Sequence, residues 1–198
     1  MTTWFTSDLH FGHINIISYA NRPFDDVEEM DAGLRDRWNA CVADDDEVWV
    51  LGDVAMGRIS HTLPLVGDLN GRKLLVAGNH DRCWAGHGWL ASRWTHRYLE
   101  AGFAEVHQGS VHLEVGGRPV LACHFPYRGD SQDQDRFVEH RPVDEGLWLL
   151  HGHVHSEWRQ LGTMINVGVD VWGYRPVSAE TLGELIASGA NHLGRLSA

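Results

Sequence analysis

The sequence contains five short groups of Asp, His and Asn side chains, and each group directly follows an apolar segment. The groups are Asp8-Leu9-His10, Gly52-Asp53, Gly78-Asn79-His80-Asp81, His124 and His151-Gly152-His153-Val154-His155. Carboxylate, imidazole and amide groups together suit divalent transition metals. Taken alone, Asp8 with His10 and Asn79-His80-Asp81 also fit polar turns, Asp53 fits a helix N-cap, and His124 fits an ordinary loop histidine. His153-Val154-His155 is a stronger signal, since alternate positions of an extended chain can both reach one metal. Five such groups in succession are hard to assign to chance, and they predict a metal site.

The apolar segments before these groups have the length and composition of buried strands. We expect strands at residues 2–6, 47–51 and 72–77, and later at 147–150 and 164–167. In α/β folds, the loops at the ends of strands carry the chemistry. The glycines before Asp53, Asn79 and His153 favour sharp turns there, since glycine tolerates backbone conformations that other residues avoid.

The rest of the pattern indicates an α/β chain with a β-rich second half. Apolar residues recur at helical spacing over 27–42, and less regular helices are expected at 58–69 and 84–101. Gly116-Gly117 separates two strands, 110–115 and 118–123, as in a two-residue hairpin. A strand is expected at 171–177, followed by a helix that Ser178 caps and Gly189 ends. Two sheets packed face to face, with helices outside, satisfy this order.

The order of the five groups closely resembles that of the calcineurin-like metallophosphoesterase family. The family pattern is D-x-H, G-D, G-N-H-[D/E], H and G-H-x-H, and every element is present between Asp8 and His155. The segments 7–13 and 166–170 also look like those of small bacterial and phage members. The resemblance implies one domain over residues 1–198, folded as a four-layer α/β/β/α sandwich of two mixed sheets flanked by helices. It also implies a hydrolase that cleaves phosphodiesters or phosphomonoesters of small, nucleotide-like substrates by attack of a metal-bridging hydroxide.

The resemblance implies two divalent metal ions that share Asp53 as a bridging ligand. Manganese is the first expectation, with iron, zinc, nickel or cobalt as alternatives, because the ligands mix imidazole, carboxylate and amide without thiolate. By the family's pattern, the first ion would be held by Asp8, His10, Asp53 and His155, and the second by Asp53, Asn79, His124 and His153.

Other residues are expected to act on the substrate. His80 resembles the family histidine that is not a ligand and hydrogen-bonds the phosphoryl oxygen or protonates the leaving group. Asp81 would orient His80, or would instead cap the next helix. Loops 22–26 and 127–141 would select the substrate, the second as a flexible lid. The candidate substrate contacts are His13, Arg82, Tyr127 and Arg128.

The composition of the chain limits which partners and which cellular compartment are expected. The 198 residues include 16 basic and 27 acidic side chains, a net charge of −11, which makes a long nucleic-acid duplex an unexpected partner. The three cysteines are far apart and form no C-x-x-C pair, which favours free thiols in a reducing compartment. No apolar run reaches membrane-spanning length, and the first residues lack the pattern of a signal peptide. We therefore expect a cytoplasmic protein that acts on a small phosphate ester without a membrane partner; its oligomeric state stays open.

Departures from larger branches of the family narrow the activity. Met56 stands where purple acid phosphatases place a tyrosine ligand, and Gly57-Arg58 departs from the longer motif of Ser/Thr protein phosphatases. No residues remain for the capping domain of the repair nucleases. Two rival functions stay open: a nuclease acting on single-stranded ends, and a non-catalytic binding module on the same fold. Complete ligand positions argue against the second, and the acidic balance argues mildly against the first.

Overall fold

The structure of the chain is a computed structural model that describes residues 1–196, in which eleven strands form two mixed sheets. Five α-helices and four short 3₁₀ segments connect the strands within this range. The helices are α1 (Ile14–Tyr19), α2 (Val27–Asn39), α3 (Ile59–Thr62), α4 (Ser92–Glu100) and α5 (Ala179–Ser188). The strands are β1 (Thr3–Thr6), β2 (Glu47–Val50), β3 (Arg72–Val76), β4 (Phe103–His107), β5 (Ser110–Val115), β6 (Arg118–Cys123), β7 (Trp148–His151), β8 (Gln160–Gly162), β9 (Met164–Asn166), β10 (Val177–Ser178) and β11 (Asn191–Leu193).

Parallel pairing lies at the centre of both sheets. The first sheet has the order β10-β1-β2-β3-β4, with β1 to β4 parallel and β10 antiparallel at the edge. The second has the order β11-β8-β9-β7-β6-β5, with β6, β7 and β9 parallel and the other strands antiparallel. The predicted sandwich of two mixed sheets with flanking helices is confirmed.

The core between the sheets follows from the two-residue period of the strands. In β2, Trp49 faces the second sheet, whereas Val48 and Val50 face the other way, toward α2. Leu182 and Ile186 of α5 join the core between the sheets. The strand residues that meet there include Phe5, Trp49, Leu74, Val76, Val120, Ala122, Leu150 and Ile165.

Helix ends form where the sequence supplies caps. The Asp26 carboxylate accepts a hydrogen bond from the backbone N–H of Glu29 at 2.8 Å and begins α2. Ser178 accepts from the N–H of Thr181 at 3.2 Å and begins α5, which ends at Gly189 with φ of 93°. Both predicted boundaries of the last helix and the Gly116-Gly117 hairpin are confirmed.

Three predicted elements differ from the structure. The expected helix at 84–101 is broken at Gly88, where φ is +67°, so that a 3₁₀ segment, Ala85–Leu90, precedes α4. Pro64 ends α3 early, and 3₁₀ geometry continues through Leu63–Asp68. The expected strand at 171–177 is wrong: a 3₁₀ turn, Val169–Val171, and a left-handed Tyr174 leave only β10.

Two further expectations can be compared with the residues 1–196. Cys41, Cys83 and Cys123 are free, as predicted. Among these residues, no helix combines the length and the apolar character needed to cross a bilayer.

Candidate metal centre

Five strand-end loops bring the predicted ligands to one edge of the two sheets. Asp8 follows β1, Asp53 follows β2 and Asn79 follows β3, all at the carboxyl ends of parallel strands. From the second sheet, His124 follows β6 and His153 follows β7. A backbone hydrogen bond from His153 N–H to the Asp8 carboxylate, at 3.0 Å, joins the two sheets at this point.

The ligand atoms are spaced as in a metal site. The Nε2 atom of His124 lies 3.0 Å from Oδ1 of Asn79 and 3.5 Å from Oδ2 of Asp53. Nδ1 of His153 lies 3.2 Å from the same Asn79 oxygen. Two ligands of one cation, each bound at about 2.1 Å, lie about 3.0–3.5 Å apart. This half of the site therefore has the spacing expected for the predicted second ion.

The other half of the site is formed by Asp8, His10 and His155. His10 Nε2 lies 3.9 Å from Oδ1 of Asp8 and 3.7 Å from Oδ2 of Asp53. Two groups of three side chains have all their ligand atoms within 4.8 Å of one another: Asp8, His10 and His155, and Asp8, Asp53 and His124. Asp8 belongs to both groups, and Asp53 lies within 3.7 Å of both His10 and His124, so both carboxylates lie between the two halves.

His10 gives an independent reason to expect a cation. It is 1% exposed, and neither ring nitrogen has a hydrogen-bond partner among the described residues. Burial lowers the pKa of His10 well below its ordinary value, and the neighbouring His155 lowers it further. A neutral, buried imidazole without a partner is costly unless its lone pair is used. The donor set and this unused nitrogen fit a divalent cation.

The backbone of the ligand loops is strained in a consistent way. Asp8, His10, Asp53, His153 and His155 all have φ between 48° and 72°, a region that non-glycine residues rarely adopt. Such conformations persist where the surrounding structure fixes them and are concentrated at functional sites. At Gly78, a Cβ atom would lie 2.5 Å from Oδ1 of Asp53, so only glycine allows this approach.

Each of the three histidines after β6 and β7 is oriented through its other ring nitrogen. His124 Nδ1 is 2.7 Å from the Leu51 carbonyl, and His153 Nε2 is 3.0 Å from the Asp130 carboxylate. His155 Nδ1 is 3.4 Å from the Asp170 carboxylate. Metal-binding histidines commonly donate their second N–H to such an acceptor, which fixes the ring and raises its basicity. Sequence reasoning missed the roles of Asp130 and Asp170.

Arg22 supports the half of the site that is formed by Asp8, His10 and His155. Its side chain is fully buried and donates to Asp170 at 2.8 and 3.1 Å, and also to the backbone carbonyls of Asp8 at 2.7 Å and Leu9 at 2.9 Å. These bonds hold the left-handed backbone at Asp8. The prediction that loop 22–26 selects substrate is wrong for Arg22, because its guanidinium is fully used inside the protein.

The segment 128–141 is pinned to the site through Asp130. This carboxylate accepts hydrogen bonds from Arg136 at 2.6 Å and lies 3.3 Å from Arg141, in addition to its contact with His153. Burial would raise the pKa of Asp130, but His153 and Arg136 hold it far below its ordinary value. These contacts hold the loop at Asp130, and Ser131, Gln132 and Arg136 line the cleft over the candidate metal centre.

Asp81 and His80 have different roles from each other in the structure. The Asp81 carboxylate accepts from the backbone N–H groups of Asp53 at 2.9 Å and Val54 at 3.1 Å, and from the Tyr98 hydroxyl at 3.3 Å. It braces the loop of Asp53, so the expectations that it orients His80 or caps a helix are wrong. His80 is exposed at the cleft, and its backbone N–H donates to Asp53 Oδ1 at 2.8 Å.

Burial and neighbouring charges shift the pKa values of Asp53 and Asp81 in opposite directions. Burial raises the pKa of Asp53, but His124 and His80 hold it below its ordinary value, so the carboxylate is charged. Burial, and then the charge of Asp53, raise the pKa of Asp81 to about 6. The anionic Asp53 carboxylate lies 3.7 Å from the buried, neutral His10 ring, an arrangement that attracts a cation.

The four candidate substrate contacts fall into two pairs. The His13 ring lies 5.3 Å from that of His10 and lines the cleft over the metal centre. Arg82 lines a second cleft beside His80. Tyr127 and Arg128 are not brought to either cleft: the Tyr127 hydroxyl donates to the Leu147 carbonyl at 3.2 Å, and Arg128 is exposed opposite Asp144. The structure therefore lends no support to these two substrate contacts.

Comparison with known proteins places the chain among phage and archaeal relatives. The gene 66 protein of Mycobacterium phage L5 is 38% identical over an alignment of 203 positions, which covers 96% of this chain and 95% of the phage protein. The uncharacterized protein MJ1445 of Methanocaldococcus jannaschii is 33% identical over 192 residues, which cover 92% of this chain and 90% of that protein. No protein-family model matches the chain.

Solved structures support the fold. The protein of unknown function AQ665 from Aquifex aeolicus superimposes with a TM-score of 0.71 at 25% identity, over 93% of this chain and 98% of that one. The two proteins therefore share the fold. An archaeal phosphodiesterase aligns over 85% of this chain and 82% of its own, at 13% identity and a TM-score of 0.43.

Proposed function

The chain belongs to the family of the gene 66 protein of Mycobacterium phage L5 and MJ1445 of Methanocaldococcus jannaschii, and we propose that it is a two-metal phosphoesterase. The proposed substrate is a small, nucleotide-like phosphodiester or phosphomonoester. The observation that carries the proposal is the convergence of two Asp–His groups that share Asp8, with the buried nitrogens of His10 left without protein partners.

The chain's own residues supply the parts that such hydrolysis needs. Asp8, His10, Asp53 and His155 would hold one ion, and Asp53, Asn79, His124 and His153 the other, with manganese as the first candidate. Two divalent ions held by these residues would lower the pKa of a bound water and neutralise charge on a phosphoryl group. The buried Asp130 and Asp170 carboxylates fix His153 and His155, so the site is organised before substrate arrives.

His80 is the histidine of the site that would act on the substrate rather than bind a metal ion. Its side chain is exposed at the cleft, 5.5 Å ring to ring from His10, while its backbone is fixed on Asp53. In this position it would donate a hydrogen bond to a phosphoryl oxygen or a proton to the leaving group. The His13 ring lies 5.3 Å from that of His10, lines the same cleft and would contact the substrate.

The shape of the site favours a small substrate. The cleft over the metal centre has a volume of about 550 Å³, within the range of small-molecule sites. The chain's net charge of −11 does not favour a long duplex, whose phosphates attract basic surfaces. Local charge governs a small ester instead, since salt screens distant carboxylates within about 8–10 Å.

The test is hydrolysis of bis-p-nitrophenyl phosphate and p-nitrophenyl phosphate with added Mn²⁺, Zn²⁺, Ni²⁺, Co²⁺ or Fe²⁺. We expect turnover of at least one substrate that EDTA abolishes. Asp53→Asn should lose bound metal and turnover together, whereas Asp68→Asn, at an exposed position outside the site, should match the wild type. A fully loaded wild-type protein without turnover of either ester would refute the proposal and leave a metal-binding module on this fold.

A further inference from the structure

A second cleft, here called the side cleft, opens next to the metal centre. It is lined by Ile59, Met56, Arg82, His87, Leu90 and Trp94, and has a volume of about 490 Å³. Met56, Asn79 and His80 line both this cleft and the one over the metal centre, so the two are continuous past His80. A phosphate ester held at the metal centre could therefore extend its organic part into the side cleft.

One wall of the side cleft is a planar, cationic and aromatic surface. The guanidinium of Arg82 lies over the Trp94 ring, 4.9 Å from its centroid. The backbone of Arg82 is fixed by a hydrogen bond from its N–H to the Tyr98 hydroxyl at 3.0 Å. Among the described residues, no hydrogen bond or ion pair occupies the Arg82 guanidinium, so its plane and its N–H groups remain available to a ligand.

Such a surface is suited to one kind of organic group. Nucleobases stack on aromatic side chains and on guanidinium planes, and the edges of a base accept hydrogen bonds from guanidinium N–H groups. Leu90, Ile59 and Met56 line the remaining walls with apolar atoms. A base offers this wall both an aromatic plane and hydrogen-bonding edges, whereas a ribose phosphate without its base offers no aromatic plane.

We propose that the side cleft is the base-binding subsite of the enzyme, so that the substrate is a nucleotide whose base stacks against Arg82 and Trp94 while its phosphate lies at the metal centre. This inference rests on the proposed phosphoesterase function and specifies its substrate class. Arg82 and Trp94 are then specificity residues, and His80 lies between the base and the scissile phosphate.

The chain provides a matched control for the Arg82–Trp94 pair. Arg93 lies over Trp89 at 4.7 Å, almost the geometry of Arg82 over Trp94, and Trp89 is 71% exposed. Trp89 lines neither the side cleft nor the cleft over the metal centre. Removing the Trp89 ring therefore removes an arginine–tryptophan stack of the same kind without touching the subsite.

The experiment compares two ligands that differ only in the base. AMP and ribose 5-phosphate are used as competitive inhibitors of bis-p-nitrophenyl phosphate hydrolysis by the manganese-loaded protein, in initial rates. Stacking of one base is worth about 5- to 150-fold in affinity, so AMP should inhibit at least about fivefold more tightly than ribose 5-phosphate. Trp94→Leu should reduce this ratio to about 1 without weakening ribose 5-phosphate, and Trp89→Leu should leave it unchanged.

A second readout separates this inference from the proposed function. Adenosine carries no phosphate, so saturation-transfer NMR detects its base protons on the protein whether or not hydrolysis occurs. We expect transfer to the base in the wild type and Trp89→Leu, and its loss in Arg82→Met, whose exposed side chain can be changed without loss of folding. Equal inhibition by AMP and ribose 5-phosphate, or base transfer that persists undiminished in Arg82→Met, would overturn the subsite. Absent turnover with base transfer intact would overturn the phosphoesterase function alone.

Discussion

The buried pair of Arg22 and Asp170 gives the sharpest prediction about how the fold supports the site. Both side chains are fully buried, and Asp170 accepts two hydrogen bonds from the guanidinium while also contacting His155. Asp170→Asn keeps the shape of the side chain but removes its charge and turns an amide N–H group toward the arginine or the histidine. Arg22 would then be a buried cation without an anionic partner.

Two separate quantities give the expected loss of stability in Asp170→Asn. Removing one partner of a buried ion pair costs about 3–5 kcal/mol. Burial would raise the pKa of Asp170, but Arg22 and His155 lower it to about 2, and a depression of nearly two units corresponds to about 2.5 kcal/mol. Both values predict that Asp170→Asn lowers the free energy of unfolding by about 3 kcal/mol.

The assay is urea unfolding of the metal-free protein at pH 7, followed by circular dichroism. Glu105→Gln is the control, because Glu105 is 45% exposed and pairs with Arg72 at the surface, where an ion pair contributes less than about 1 kcal/mol. The same Asp170→Asn variant should bind metal about 10–100-fold more weakly, since His155 loses its orienting carboxylate. A loss of stability no larger than that of Glu105→Gln would refute the assignment of this pair as a support of the site.

Three further predictions test other parts of the site. Asp130→Asn should weaken metal binding about 10–100-fold, measured by competition with a chelating dye, because His153 loses its hydrogen-bonded carboxylate; Asp135→Asn, on the exposed part of the same loop, should not. His80→Ala should retain its metal, measured by elemental analysis, and lose about 10²–10⁴-fold in kcat; undiminished kcat would remove His80 from the mechanism. Burial lowers the pKa of His151 to about 3, so the unfolded chain binds its proton first as pH falls. The free energy of unfolding should therefore drop by about 3–5 kcal/mol between pH 7 and pH 3, and His151→Gln should flatten that slope in urea unfolding; an unchanged slope would contradict the buried, neutral His151.

The candidate ligands could be predicted from the sequence because each one stands next to its strand. A strand of four to six apolar residues followed by Asp8, Asp53, Asn79, His124 or His153 is a local pattern, and parallel strands bring such positions to one edge. The two mixed sheets and the final helix followed from the same kind of local signal.

The supporting residues could not be found in this way. Arg22 and Asp170 are 148 positions apart, and neither lies in a pattern that marks it as a partner of the other. Asp130 stands in a polar loop whose composition indicated a mobile lid, yet its contacts with His153, Arg136 and Arg141 make it an anchor. The expected strand at 171–177 was wrong because apolar Val171 and Trp172 are buried by a 3₁₀ turn, and burial alone does not distinguish a turn from a strand.

The account depends on two cations that share one set of protein ligands, and metal stoichiometry tests this most directly. The protein is loaded with Mn²⁺, freed of unbound metal by gel filtration and analysed by inductively coupled plasma mass spectrometry. We expect two ions per chain in the wild type and fewer than one in Asp53→Asn, since that carboxylate is the proposed bridge. A wild-type protein that retains no metal after loading with any of the candidate ions, or an Asp53→Asn variant that retains two, would contradict the account.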